Sequence, residues 1–163
     1  MDTVYIETSI VSHVAARFNS DWRIAALQHQ AHDWWFTKRT KFQLVTSQLV
    51  INEAAAGDSI AAAARLRLLD GLAIVPIDEN VRSLARAILA ASILPPKAAV
   101  DALHIAAAAV AEVEYLLTLN CKHIANAHEL PRVYKLLEQY GYGRLLICTP
   151  AQFLGGDDYE SYS

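Results

Sequence analysis

Residues 3–9 read Thr3-Val4-Tyr5-Ile6-Glu7-Thr8-Ser9, and this stretch sets the fold class. The first four residues are β-branched or aromatic, as in a buried strand. A helical pattern follows them, with no tight hairpin dipeptide in between. Because parallel strands need long crossover connections whereas hairpins do not, the stretch predicts the first strand of a parallel sheet.

Four similar runs follow along the chain, at residues 43–46, 72–75, 115–118 and 145–148. Segments with helical periodicity separate them. One begins after a Ser20 cap, one after an Asp78 cap, and a third runs from Pro95 to about residue 111. Alanine-rich segments at 54–64 and 98–111 predict buried helices. We therefore expect one α/β domain over residues 1–154, with a five-stranded, mostly parallel sheet in a three-layer α/β/α arrangement, and a flexible acidic tail at 155–163.

The composition of the chain excludes several classes of function. The chain has 163 residues, of which 54% are hydrophobic, enough for one domain with its own core. Its formal net charge of −3 excludes a global cationic field, so any nucleic-acid contact must come from local patches. Cys121 and Cys148 form no disulfide framework, and no signal peptide or membrane-length apolar run is present, which predicts a cytoplasmic protein without a membrane partner.

Three acidic residues stand where a parallel sheet forms its sites, beyond the carboxyl ends of the strands. Glu7 follows the first strand, and its alternative interpretation is a helix cap or a surface acid. Glu53 lies on the helix after the second strand, where exposure to solvent or pairing with Arg65 or Arg67 is the alternative. Asp101 lies near the start of an alanine-rich helix, where a charge is costly unless it is paired or bound to metal.

Together the three carboxylates favour a site for Mg²⁺ or Mn²⁺, which take oxygen ligands. Like charges that share a cleft predict raised carboxyl pKa values in the metal-free protein. His104, one turn after Asp101, is interpreted as a core histidine with satisfied hydrogen bonds that could reach a carboxylate or a carbonyl.

Four segments carry a family resemblance, namely residues 4–9, 49–53, 100–106 and 117–126. In order and spacing they resemble the acidic motifs of PIN-domain nucleases, most closely the VapC-like toxins of type II toxin–antitoxin pairs. The resemblance implies a PIN fold, metal-assisted hydrolysis of RNA, a homodimer and an antitoxin protein as partner. It assigns catalysis and metal binding to Glu7, Glu53 and Asp101, with Asn120 as a further metal ligand at the fourth acidic position.

The resemblance also implies supporting roles around the metal. Thr8, Ser9 and Thr118 would orient ligands or phosphate through their hydroxyls, with helix capping and strand-end bonding as the alternative. Lys122, beside His123, is a candidate for phosphate contact. The aromatic residues Trp22, Trp34, Trp35 and Phe36 would form either a partner-binding face or part of the core.

The sequence departs from the family pattern at two positions. Glu7 stands where the family usually has Asp, and Asn120 supplies a neutral oxygen where the family has a carboxylate, which should weaken cation binding. One alternative function is therefore a catalytically weakened PIN fold that binds RNA or protein. Another is a phosphatase or phosphoacceptor domain, although that chemistry requires a nucleophilic Asp at the position of Glu7.

Overall fold

The sheet contains five strands, all parallel. A computed structural model describes residues 1–154, so the predicted tail at 155–163 lies outside the described residues. The strands are β1 (Thr3–Ile6), β2 (Gln43–Ser47), β3 (Ala73–Val75), β4 (Tyr115–Leu117) and β5 (Leu146–Cys148). Their spatial order is β3-β2-β1-β4-β5. The predicted five-stranded parallel sheet is confirmed.

Strand β1 lies at the centre of the sheet, and its two neighbours, β2 and β4, lie on opposite sides of it. Tyr5 pairs with Val45 on one side and with Leu116 on the other. The chain builds outward from β1 to β3 and then returns to place β4 on the opposite side. The gap between β1 and β4 is therefore a topological switch point, where open α/β sheets form their binding crevices.

Helices cover the sheet in the predicted three-layer α/β/α arrangement. They are α1 (Thr8–Ala15), α2 (Trp22–Asp33), α3 (Gln48–Ala54), α4 (Ser59–Leu69), α5 (Glu79–Ala90), α6 (Ala99–Val110), α7 (Leu130–Gln139) and α8 (Ala151–Leu154). A π-helical segment, Trp34–Lys38, follows α2, and short 3-10 turns span Arg39–Lys41 and Pro96–Ala98. None of the helices within residues 1–154 has the length and apolar character needed to cross a bilayer.

The helix caps explain where the helices begin. The Asp78 carboxylate accepts a hydrogen bond from the amide of Val81 at 3.1 Å, as predicted for α5. The predicted Ser20 cap of α2 is wrong. The helix starts at Trp22, and the side chain directly before it, Asp21, accepts from the amide of Arg23 at 2.9 Å.

The two alanine-rich segments differ in burial. Helix α6 is buried along most of its length, as predicted. Helix α4 packs at the periphery of the domain, and only Ala62 and Leu69 of it are buried, so the prediction of a buried helix at 54–64 is wrong. A high helix propensity of alanine applies equally to inner and outer helices and does not tell them apart.

The aromatic residues of α2 and the π-helical segment divide between core and surface. Trp34 and Trp35 are buried in the core, where Trp34 stacks on Phe42 with ring centroids 5.9 Å apart. Trp22 and Phe36 are exposed. Core packing is therefore the role of two of these four rings, and only the other two are available to a partner.

Candidate metal centre

The predicted site residues lie at the carboxyl edge of the sheet, around the switch point. Glu7 follows β1 directly, and its amide donates to the carbonyl of Leu117 at 3.2 Å. This contact continues the pairing of β1 with β4 and brings Glu7 beside Thr118. Glu53 comes from α3, which begins at the end of β2, and Asp101 comes from the first turn of α6.

The Glu7 carboxylate is buried, with 5% of the residue exposed, and three donors hold it. Its Oε1 accepts from the hydroxyls of Ser9 and Thr118, both at 2.5 Å, and its Oε2 accepts from the amide of Ser9 at 3.0 Å. The last contact caps α1, so the interpretation of Glu7 as a helix cap is confirmed.

Backbone amides fix the direction of both hydroxyl bonds. The Ser9 hydroxyl accepts from the amide of Leu119 at 2.8 Å, and the Thr118 hydroxyl accepts from the amide of Asn120 at 3.0 Å. Because each hydroxyl carries a single proton, that proton is left to bond Glu7. The loop after β4 thus orients two donors toward one carboxylate oxygen.

Within residues 1–154, no Lys, Arg or His side chain forms an ion pair with Glu7. Burial of an anion without a counter-charge is costly, and such groups are usually paired or coordinate a metal. The residue therefore has the environment expected of a cation ligand as well as that of a cap.

Glu53 is held through one of its two oxygens. Its side chain is 41% exposed, and Oε1 accepts from the Thr8 hydroxyl at 2.8 Å and from Nε2 of His104 at 2.6 Å. The alternative pairing with Arg65 is wrong, because that guanidinium donates to the carbonyls of Ala54 and Ala56. No contact in the described residues joins Arg67 to Glu53 either.

His104 is buried and bonded at both ring nitrogens, as predicted for a core histidine. Its Nδ1 lies 2.9 Å from the hydroxyl of Tyr5, which in turn lies 2.7 Å from the hydroxyl of Ser47. Burial raises the pKa of the Tyr5 phenol above its ordinary value, so the hydroxyl keeps its proton.

The environment of Glu53 corrects an expectation about charge. Burial acts to raise the pKa of its carboxyl, but the hydrogen bond and charge of His104, together with the Thr8 hydroxyl, lower it by more. The net shift is downward, opposite to the predicted effect of repelling acids. The donors outweigh the effect of burial because they contact the carboxylate directly.

Asp101 forms a separate pair of contacts. Its Oδ1 accepts from the side-chain amide of Asn120 at 3.3 Å, and its Oδ2 lies 3.1 Å from Nδ1 of His123. The side-chain oxygen of Asn120 accepts from the amide of His123 at 3.1 Å, which ties the three residues together. Asn120 thus contacts Asp101 as a donor in this arrangement.

Lys122 takes no part in this network of described residues. The residue is exposed, and no contact joins its ammonium to Glu7, Glu53 or Asp101. Its carbonyl accepts from the side chain of Asn126 at 3.0 Å.

The acids share one edge of the sheet but do not form a closed cage. In residues 1–154, no three side chains of His, Cys, Asp or Glu are close enough to hold one metal ion together. Hydrogen bonds connect them instead: Thr8, next to Glu7, donates to Glu53, and Asn120 links Thr118 to Asp101.

Sequence reasoning missed two members of the site, Tyr5 and Ser47. Both look like ordinary strand residues in the sequence. Ser47 caps α3, and Tyr5 lies inside β1, so their contacts with His104 become visible only once the strands are placed.

The comparison with known families agrees with this geometry. The model of the PIN domain matches residues 4–135, which is most of the chain. The chain belongs to the PIN-domain family. PIN domains have a nuclease-type fold and are generally metal-dependent nucleases. No curated protein matches the chain.

The chemistry of the donors in this PIN domain, rather than their present spacing, fits a divalent cation. The donors at the edge of the sheet are carboxylate oxygens, the type that Mg²⁺ and Mn²⁺ prefer. Among residues 1–154, the buried carboxylate of Glu7 has no counter-charge, and Oε2 of Glu53 accepts no hydrogen bond.

Proposed function

We propose that this PIN domain is a ribonuclease that depends on Mg²⁺ or Mn²⁺ and hydrolyses RNA phosphodiester bonds. The observation that carries the proposal is Glu7 at the switch point of the sheet, a buried carboxylate that has no cationic partner among residues 1–154. A cation at this point would neutralise Glu7 and lie in the crevice where an α/β sheet binds its ligands.

Glu7, Glu53 and Asp101 would hold the cation, with the amide oxygen of Asn120 as a neutral ligand. When bound, the cation supplies the Lewis acidity that activates water and neutralises charge on the phosphate. Ser9 and Thr118 hold Glu7 in place, and Thr8 holds Glu53. Lys122, exposed on the loop after β4, would contact the RNA backbone.

The same proposal includes a cellular role as the toxin of a toxin–antitoxin pair, acting as a cytoplasmic homodimer. Its support is the resemblance of the four acidic motifs to VapC-like toxins. Trp22 and Phe36, exposed at 76% and 67%, supply apolar surface for the antitoxin or for a second copy. Co-purification with the product of an adjacent gene should block cleavage, and unchanged activity in that complex would contradict the toxin role.

A second candidate is a PIN fold that binds RNA or protein without cleaving. The observation that favours it is Asn120, whose neutral amide donates to Asp101 where a fourth carboxylate would repel it. Such a protein would bind RNA equally well with or without a divalent cation.

Cleavage of single-stranded RNA by the purified chain separates the two candidates. We expect cleavage in Mn²⁺ or Mg²⁺, no cleavage in EDTA, and loss of cleavage in Glu7→Gln and Glu53→Gln. Glu114→Gln is the matched control, because Glu114 bonds the amide of Thr3 at the opposite edge of the sheet. Binding of RNA without cleavage in any divalent cation would support the binding module instead.

A further inference from the structure

We propose that His104, held by Tyr5 and Ser47, is a positioning residue that fixes the Glu53 carboxylate so that only its Oε2 is offered to a divalent cation. The inference rests on the proposed function, because it concerns the same metal centre. It assigns a task to Tyr5, Ser47 and His104, a buried relay to which the family resemblance gives no role.

The first observation is the contrast in burial across the contact. The His104 side chain is 1% exposed, whereas that of Glu53 is 41% exposed. A glutamate so exposed on a helix surface ordinarily samples several rotamers. Here a ring fixed inside the domain reaches it at 2.6 Å. The orientation of the carboxylate is therefore set from the core.

The second observation is the direction of the hydrogen bonds. A carboxylate oxygen only accepts, so Nε2 of His104 must carry a proton. The other ring nitrogen, Nδ1, lies 2.9 Å from the Tyr5 hydroxyl, which lies 2.7 Å from the Ser47 hydroxyl. These contacts hold the ring from the core side, so the protonated Nε2 is directed at Glu53.

The third observation is how the two oxygens of Glu53 differ. Oε1 receives both donors, Thr8 and His104, whereas Oε2 receives none from residues 1–154. A cation would meet a carboxylate with one free oxygen. Partners that orient a ligand in this way usually matter to metal affinity nearly as much as the ligand itself.

A purely structural role for His104 makes a different prediction. If the relay only satisfied buried polar groups, its loss would lower stability and leave cation affinity unchanged. Affinity for Mn²⁺, measured by isothermal titration calorimetry on the full chain, therefore distinguishes the two roles without any measurement of activity.

Four variants make the test specific. His104→Leu removes the donor to Glu53, and His104→Gln restores an N–H at a similar distance along the side chain. Tyr5→Phe removes only the hydroxyl that orients the ring. Tyr134→Phe is the matched control, because its hydroxyl bonds the amide and carbonyl of Ile147 on β5, away from the acids.

We expect His104→Leu to raise the Mn²⁺ dissociation constant by about 10- to 100-fold. Tyr5→Phe should raise it less, His104→Gln should recover most of the affinity, and Tyr134→Phe should bind as the wild type does. Melting curves accompany each titration. If His104→Leu does not fold, Tyr5→Phe and His104→Gln decide the matter, with weaker binding expected for Tyr5→Phe and near wild-type binding for His104→Gln.

Two results would overturn the inference, and they are distinguishable. If the wild type binds Mn²⁺ and folded Tyr5→Phe and His104→Leu bind it equally well, the relay is structural and the proposed function still stands. If the wild type itself binds no Mn²⁺, the proposed function fails and this inference fails with it.

Discussion

Replacement of Thr118 by valine tests directly whether the Thr118 hydroxyl stabilises the buried Glu7 carboxylate. Thr118 is buried, and its hydroxyl donates to Oε1 of Glu7 at 2.5 Å while it accepts from the amide of Asn120 at 3.0 Å. Valine has nearly the same shape but no hydroxyl. The substitution therefore removes one hydrogen bond to a charged group and leaves one amide without its acceptor.

The expected cost follows from these two losses. A hydrogen bond to a charged group contributes about 1.5–3 kcal/mol, and a donor left unsatisfied costs about 1–3 kcal/mol when it is buried. Because Asn120 is only partly buried, water recovers part of the second loss. We expect Thr118→Val to lower the free energy of unfolding by about 3 kcal/mol.

Thr46→Val is the matched control. Thr46 is equally buried, lies on β2, and donates only to the carbonyl of Ile6 at 3.2 Å. A neutral hydrogen bond contributes about 1 kcal/mol, so the two variants should differ by about 2 kcal/mol. Urea denaturation in EDTA, followed by far-ultraviolet circular dichroism, measures both. Equal costs for the two variants would refute the assignment of Thr118 as a support of the Glu7 carboxylate.

Three further changes have defined outcomes. Asn120→Asp should tighten Mn²⁺ binding by about fivefold or more in calorimetry, since a unit charge about 4 Å from another contributes about 1 kcal/mol even in water. Weaker binding of Mn²⁺ would place Asn120 outside the metal shell. Addition of Mn²⁺ at a hundred times its dissociation constant should stabilise the wild type by about 2.7 kcal/mol and Asp101→Asn by much less. An equal rise in melting temperature for the two proteins would show that Asp101 is not a metal ligand. The Thr3 amide and Arg144 hold the pKa of Glu114 below its ordinary value of 4.5. We therefore expect Glu114→Gln to lower the free energy of unfolding by less than about 1 kcal/mol above pH 4.5, and this loss should disappear as the pH falls below 4.5. A loss that is constant with pH would contradict this.

The sequence was sufficient to predict the sheet and the position of the candidate site. Short apolar runs and helical spacing are local signals, and they predicted all five strands and the parallel topology. The acids could be placed at one edge because parallel strands end on the same side. The wrong predictions also rested on local signals, namely a capping residue and helix propensity. The cap of α2 was displaced by one residue to Asp21, and the alanines of α4 gave no sign of which layer they occupy.

The internal arrangement of the site was beyond sequence reasoning. Glu7 and Thr118 lie 111 residues apart, and His104 and Glu53 lie 51 apart. These contacts depend on the exact pairing of β1 with β4 and on the packing of α6 beside α3. For the same reason the direction of the pKa shift of Glu53 was wrong: the sequence shows the repelling acids but not the donors that contact one of them.

A crystal of the protein soaked in Mn²⁺ and measured at the manganese absorption edge tests the central claim most directly. Manganese gives an anomalous signal that marks the ion independently of any assumption about its ligands. We expect a peak at the carboxyl edge of the sheet, in contact with oxygens of Glu7, Glu53 and Asp101 and with Oε2 rather than Oε1 of Glu53. The absence of a peak there, or a peak only at other carboxylates, would contradict it.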